Sequence, residues 1–174
     1  MQENEHVKAH GEEQADRALS SSHLLTMKGK AEMGFVGGLV ASIVAAFVAI
    51  ASDGVGLLIS PWFVTLGSVL GVAGLPAYVG LVGVVAFLTI GVVWGLIFAF
   101  LFSKYSVTKG LAFSGIQILL TVALLMVVST PQVGGTLLTL PIVNSLMLVI
   151  GLAFTYIAFG VVIGLVGRKY TGLP

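Results

Sequence analysis

Four long apolar stretches decide what this chain can fold into. They cover residues 32–52, 76–102, 111–129 and 141–167, and apart from Glu32 they contain no charged residue. A stretch of roughly 20 apolar residues is long enough to cross a hydrocarbon core roughly 30 Å thick. Backbone polar groups find no water there, so a spanning segment without strand alternation has to be a helix. The chain is therefore predicted to be an all-α integral membrane protein with a bundle of four transmembrane helices.

The polar ends of the chain lie outside this bundle. Residues 1–27 hold most of the acidic side chains, and because such a segment cannot bury a core we expect a flexible, cytoplasmic tail. The transmembrane domain then covers residues 28–170, and residues 171–174 form a short C-terminal tail. In the first tail, His6 and His10 are four residues apart, which puts them on one face of a helix. A metal site needs further ligands, so an ordinary polar tail is the preferred interpretation.

Cationic residues flank the apolar stretches and orient the bundle. Four spans place all of them on one side of the membrane, and the positive-inside bias makes that side the cytoplasm. Both termini are then expected in the cytoplasm, and we expect the cell membrane of a prokaryote. The residues are Lys28, Lys30, Lys104, Lys109, Arg168 and Lys169.

Residues 55–75 are also apolar and could be taken for a fifth span. A fifth span would divide the cationic residues between the two sides of the membrane, so the charge pattern argues against it. We expect instead a short outer helix starting at Pro61. The sequence leaves open whether this segment lies at the interface, re-enters the bilayer or contacts a partner.

A short motif occurs twice, as Gly91-Val92-Val93-Trp94-Gly95-Leu96 and as Gly160-Val161-Val162-Ile163-Gly164-Leu165. Each copy lies in the exit helix of a predicted hairpin, and Lys28-Gly29 and Lys109-Gly110 lie at the two entrances. Both hairpins begin and end on the same side, so a duplication would make them a parallel repeat about an axis along the membrane normal. The alternative is a chance match in a sequence rich in glycine, valine and leucine.

With this repeated motif, the chain resembles the small four-helix membrane proteins of bacteria and archaea that are grouped as domains of unknown function. The resemblance covers about residues 28–170. It implies two glycine-rich hairpins with a G-xxx-G near the end of the second and fourth helices. It implies no activity, cofactor or partner.

Rows of small residues run along the predicted helices. In a bilayer, small residues spaced by four allow helix backbones to approach closely. Three interpretations remain open: the rows hold the four helices together, they dock another protein, or they line a narrow conduit. The first helix carries two such rows and is expected to pack against two neighbours. The candidate packing and docking residues are Gly34, Gly38, Gly37, Ala41, Gly91, Gly95, Gly160 and Gly164.

The polar residues predicted at membrane depth are all neutral. Ser114, Gln117 and Thr121 follow one another on one face of the third helix, and Gln117 and Thr121 are the predicted buried polar residues. Thr89, Thr121 and Thr155 fall near mid-depth, where a threonine can bond its own preceding turn. The Gln117 amide needs a partner because an unpaired amide in hydrocarbon costs about 2–7 kcal/mol.

Recognisable chemistry is missing from the sequence. The chain has no cysteine, no histidine within a span and no paired carboxylates, phosphate loop or HExxH motif. We therefore expect neither an enzyme nor a cofactor-binding protein, structural lipids aside, and the charge pattern shows no basic patch for nucleic acid.

The hypothesis that remains is a non-catalytic accessory subunit of a larger membrane complex, for example a respiratory oxidase or a membrane monooxygenase. Its partners would be other integral membrane subunits and the lipid bilayer, and it would dock through small-residue helix faces. The alternative is a small permease or channel for a neutral solute that acts as a homo-oligomer.

Overall fold

The computed structural model describes residues 26–57, 66–68, 70, 76–127 and 137–171. Within these ranges the regular secondary structure is helical and contains no strand. The helices are α1 (Met27–Gly54), α2 (Pro76–Leu101), α3 (Val107–Val127) and α4 (Ile142–Tyr170), with a 3₁₀ turn at Leu137–Thr139.

All four α-helices are long and apolar enough to cross a membrane. The chain therefore has the architecture of a multi-pass membrane protein, as its apolar stretches predict. The polar tail with His6 and His10, predicted to bind no metal, lies outside the described residues. Most of residues 55–75, where an outer helix is predicted, also lie outside them.

At its N-terminal, polar end, α1 extends beyond the predicted apolar stretch. This helix begins at Met27, before the expected start at Glu32, and the Thr26 hydroxyl caps it by accepting a hydrogen bond from the Gly29 N–H at 3.2 Å. Hydropathy marks where hydrocarbon begins, whereas a helix continues as long as its backbone bonds and cap are favourable.

The other end of α1 closes with a glycine cap. Gly56 has a φ of +79°, a left-handed conformation that glycine adopts without steric cost. The Gly56 N–H bonds the Asp53 carbonyl at 2.9 Å and the Leu57 N–H bonds the Ser52 carbonyl at 2.8 Å. This pair of bonds is a Schellman motif, which satisfies carbonyls that the helix end leaves unpaired.

Helix α1 packs against both α2 and α4, and α3 packs against α4. The expectation that α1 receives two neighbours is met by these contacts, and α4 shares this central position. Rings fill the space between α2 and α3: the ring centroids of Phe98 and Phe113 are 5.3 Å apart, and those of Trp94 and Phe113 are 5.6 Å apart.

Contacts between antiparallel helices bring the cationic residues to one end of the bundle. Gly38 on α1 lies against Gly91 on α2, and Met33 on α1 lies against Gly167 on α4. The start of α1, the α2–α3 connection and the end of α4 therefore lie together. Asp53 lies at the opposite end of α1.

Within residues 55–75, Gly67 lies against the beginning of α2. A Cβ on Gly67 would collide with the carbonyl of Val79 and would lie 3.2 Å from the backbone nitrogen of Gly83. Leu66 packs against the buried core. Residues 66–68 thus contact the bundle of their own chain.

Candidate functional site: a polar chamber at the centre of the bundle

The glycines of α1 and α2 form the closest helix contact of the first hairpin. A Cβ on Gly38 would lie 2.6 Å from the Gly91 carbonyl oxygen, and a Cβ on Gly34 would lie 2.8 Å from the Leu96 Cα. A Cβ on Gly95 would collide with the Gly34 carbonyl oxygen. Real Cβ atoms do not approach so closely, so these four glycines occupy positions where only hydrogen fits.

The second small-residue row of α1 faces α4. A Cβ on Gly37 would lie 3.3 Å from Val166 Cγ1, and Ala41 is fully buried. The two rows of α1 therefore lie in two different seams of the bundle.

The glycines of α4 face α3. A Cβ on Gly160 would lie 2.6 Å from the Gly110 carbonyl oxygen and would collide with the Ser114 hydroxyl. A Cβ on Gly164 would lie 2.7 Å from the Ser106 carbonyl oxygen. The candidate packing residues thus lie in helix seams within this chain.

These seams surround a small chamber that lies near the midpoint of every helix. Its volume is about 30 Å³. A water molecule needs roughly 10–15 Å³ on this scale, so the chamber has room for about two molecules of that size. The lining residues are Ser42, Ala45, Phe87, Ile90, Gly91, Trp94, Gln117, Thr155, Tyr156 and Phe159.

Among the described residues that line the chamber, Gln117 is the polar side chain that lacks hydrogen-bond partners. Its side chain is 1% exposed, and neither its amide nitrogen nor its amide oxygen has a partner among the described residues. The hydroxyl of Ser114, one turn earlier on α3, is also buried and has no partner among the described residues. A buried polar group in this state costs about 1–3 kcal/mol. Gln117 lines the chamber together with residues of α1, α2 and α4, but its amide bonds none of their described groups.

The serine and threonine hydroxyl groups of the lining are bonded to their own helices. Ser42 donates to the Gly38 carbonyl at 2.5 Å and Thr155 donates to the Gly151 carbonyl at 2.9 Å. Their oxygens keep free lone pairs, because a hydroxyl has two. They can therefore accept a hydrogen bond from a molecule in the chamber.

The three threonines predicted at mid-depth have three different surroundings. Thr155 lines the chamber, and Thr121 shares a hydrogen bond of 2.8 Å with the Tyr156 hydroxyl, which links α3 to α4. Thr89 is exposed and donates to the Val85 carbonyl at 2.8 Å. A shared depth in the membrane therefore does not bring all three threonines to the chamber.

The chamber is electrically neutral. Aspartate, glutamate, lysine, arginine and histidine are missing from its lining, and three or more histidine, cysteine, aspartate or glutamate side chains come together nowhere in the described ranges. Its chemistry is that of an amide, hydroxyls and aromatic walls. Such a lining offers hydrogen bonds, and no charge, to a molecule in the chamber.

Sequence reasoning found Gln117 but missed Ser42, Trp94 and Tyr156. Ser42 appears in the sequence as one more small residue of a packing row. Trp94 lies inside the repeated motif, which looks like a packing motif alone. One sequence signal could have indicated these residues: they are polar or aromatic residues near the midpoints of their helices, which places them at one depth in the membrane.

The α2–α3 connection closes the bundle at the cationic end. Tyr105 is buried there and donates a hydrogen bond of 2.8 Å to the Ala99 carbonyl. Burial raises the pKa of the Tyr105 hydroxyl above 10.0. Lys109 donates to the Lys104 carbonyl at 2.8 Å and lies 5.6 Å from the Phe102 ring centroid.

Searches of protein-family models, curated proteins and solved structures found no match to this chain.

Proposed function

We propose that this protein binds a small neutral solute at the centre of the membrane and lets it pass. The observation that carries the proposal is the buried Gln117 amide, whose donor and acceptor both lack a partner among the described residues. A buried polar group without a hydrogen bond lowers the free energy of unfolding of the protein. A solute that offers both a donor and an acceptor removes that cost when it occupies the chamber.

Size and charge define the class of solute. A chamber of about 30 Å³ fits water, ammonia or a molecule of similar size. Charged solutes are excluded, because a charge at membrane depth needs a paired charge or water and the lining offers neutral groups. The proposal assigns binding and passage to the chain, and no catalysis.

Two apolar clusters are proposed as the gates on either side of the chamber. One consists of rings near the cationic end, with Phe98 and Phe113 at its centre. The other, toward the opposite end, consists of Ala49, Leu125, Leu148 and Leu152. Hydrophobic constrictions stop flow by excluding water and open when side chains move apart.

Flux into reconstituted vesicles tests the proposal. Wild-type protein is expected to raise the permeability to water or ammonia, measured by stopped-flow light scattering or pH change, above that of protein-free vesicles. Gln117→Met keeps the length of the side chain but removes the amide. We expect this variant to lower the flux about tenfold, the effect of losing roughly 1.4 kcal/mol of stabilisation.

The matched control is Thr89→Val. It likewise removes one polar group of a transmembrane helix, but Thr89 is exposed and bonded to its own helix. Its flux should equal that of the wild type. Wild-type vesicles that pass no small neutral solute faster than empty vesicles would refute the proposal.

The proposal includes an internal duplication of one hairpin. Support comes from equivalent contacts: Gly38 and Ser42 meet Gly91 in the first hairpin, and Gly110 and Ser114 meet Gly160 in the second. This pairing matches Gly110 with Gly38, whereas the sequence motif pairs Lys109-Gly110 with Lys28-Gly29. Two copies of one hairpin would enclose a central chamber from both sides.

A second candidate function is the accessory subunit of a larger membrane complex. One surface favours it: Ala112 is exposed on α3, and a Cβ on Gly115 would meet no atom within 4 Å. A partner helix could approach α3 closely there, since the other glycine rows lie inside the chain. Purification in mild detergent separates the candidates, because a subunit co-purifies with a partner that Gly115→Leu releases, whereas a solute permease retains its flux without that partner.

We also propose that both termini lie in the cytoplasm. The positive-inside bias supports this orientation, because the cationic residues gather at the end of the bundle where α1 begins and α4 ends. The proposed location is the cytoplasmic membrane of a prokaryotic cell.

A further inference from the structure

A groove between α1 and α4 opens at the cationic end of the bundle. Its volume is about 530 Å³, and it is lined by Val36, Val166, Lys169 and Tyr170. This volume lies within the range of about 300–1,000 Å³ that is usual for sites of small molecules. The groove is separate from the central chamber and shares no lining residue with it.

The two halves of the groove differ in chemistry. Val36 and Val166 form an apolar floor on the membrane-spanning part of the two helices, and Val166 also packs against Gly37. Lys169 and Tyr170 lie in the last turn of α4 and are exposed. The groove thus offers hydrocarbon contact on one side and an ammonium and a phenol hydroxyl on the other.

We propose that this groove binds an anionic phospholipid. The acyl chain would lie along Val36 and Val166, and the headgroup phosphate would accept hydrogen bonds from Lys169 and Tyr170. Basic pockets between helices on the cytoplasmic side of a membrane suit such headgroups. The apolar floor commits the site to a lipid, because a free phosphate ion gains nothing from it.

The charges around the groove favour an anion. Arg168 precedes Lys169, and Lys30 lies at the same end on α1. Glu32 opposes the anion, since it lies one turn before Val36, but its carboxylate is 4.0 Å from the Lys28 ammonium. The negative end of the α4 dipole is offset by the positive end of α1, which begins beside it.

Lipid retention measured by native mass spectrometry tests this site. The full chain would be extracted from vesicles of equal parts phosphatidylglycerol and phosphatidylcholine. We expect wild-type protein to retain phosphatidylglycerol in preference to phosphatidylcholine. Lys169→Gln should lower that retention about fivefold, as one cation near an anionic surface contributes roughly 1 kcal/mol.

Two further variants separate a site from general surface charge. Lys104→Gln removes the same charge from the same end of the bundle, but Lys104 does not line the groove, so retention should stay unchanged. Val36→Phe keeps the charge and fills the floor, so retention should fall. An equal loss in both lysine variants, with none in Val36→Phe, would overturn the proposal.

The source of the phosphate is tested by competition. Excess inorganic phosphate should leave the bound phosphatidylglycerol in place, because it cannot replace the acyl chain. Displacement of the lipid by inorganic phosphate would contradict a lipid site. Since the groove is independent of the chamber, solute flux through Lys169→Gln vesicles should equal that of the wild type.

Discussion

At the scale of single residues, small side chains determine how closely the helices approach. Gly38 and Gly95 face backbone atoms of the neighbouring helix, and the nearest atom facing Gly91 is a serine hydroxyl. Backbone atoms cannot move aside without moving a whole helix, so the tolerance to an added methyl group should differ sharply between buried and open glycines.

Gly38→Ala should therefore destabilise the bundle by about 1–3 kcal/mol, the usual cost of overpacking. The added Cβ would meet the Gly91 carbonyl oxygen and the Val92 Cα. Gly115→Ala is the control, because its Cβ would meet no atom within 4 Å, and alanine favours helix by up to about 1 kcal/mol over glycine. Thermal unfolding in detergent measures both, and equal midpoints would contradict the assigned seam.

At the scale of elements, the connection between α2 and α3 holds these two helices next to each other. Elsewhere they contact each other through aromatic side chains. Tyr105 joins this connection to the end of α2 through the Ala99 carbonyl, and it lies against Gly167 at the end of α4. One buried tyrosine thus ties three helix ends together.

Tyr105 also predicts how stability depends on pH. Burial raises the pKa of its hydroxyl in the folded protein above the unfolded value of 10.0. The folded state then holds this proton more tightly. The contribution of Tyr105 to the free energy of unfolding is therefore complete below pH 10.0 and is lost as the pH rises through the higher pKa of the folded state. Unfolding midpoints measured from pH 8 to pH 11 should fall less steeply above pH 10 for Tyr105→Phe than for the wild type. Parallel curves would argue against a buried, protonated Tyr105.

At the scale of the whole molecule, charge and hydrophobicity are arranged along one axis. The cationic residues lie at one end, the chamber at mid-depth and Asp53 at the far end. Such an asymmetry gives a membrane protein one preferred orientation.

Single-cysteine labelling checks this orientation, and the chain is suited to it because it has no native cysteine. Ser103→Cys lies at the cationic end and Gly54→Cys at the opposite end, and both positions are exposed. In intact cells a membrane-impermeant maleimide should label Gly54→Cys but not Ser103→Cys. The reverse pattern would refute the proposed orientation.

The sequence by itself determined the number of apolar helices, their approximate limits and the charge pattern along the chain. It also indicated Gln117 and the small residues as points of interest, because hydrophobic length, charge and residue size can be read directly. Only the tertiary structure decided that Gly38 faces Gly91, that Thr155 lines the chamber and that Thr89 is exposed. The physical reason is that lipid tails are as apolar as leucine. The hydrophobic period that separates the inside from the outside of a soluble helix is therefore weak here, and the packed neighbours alone show which face is buried.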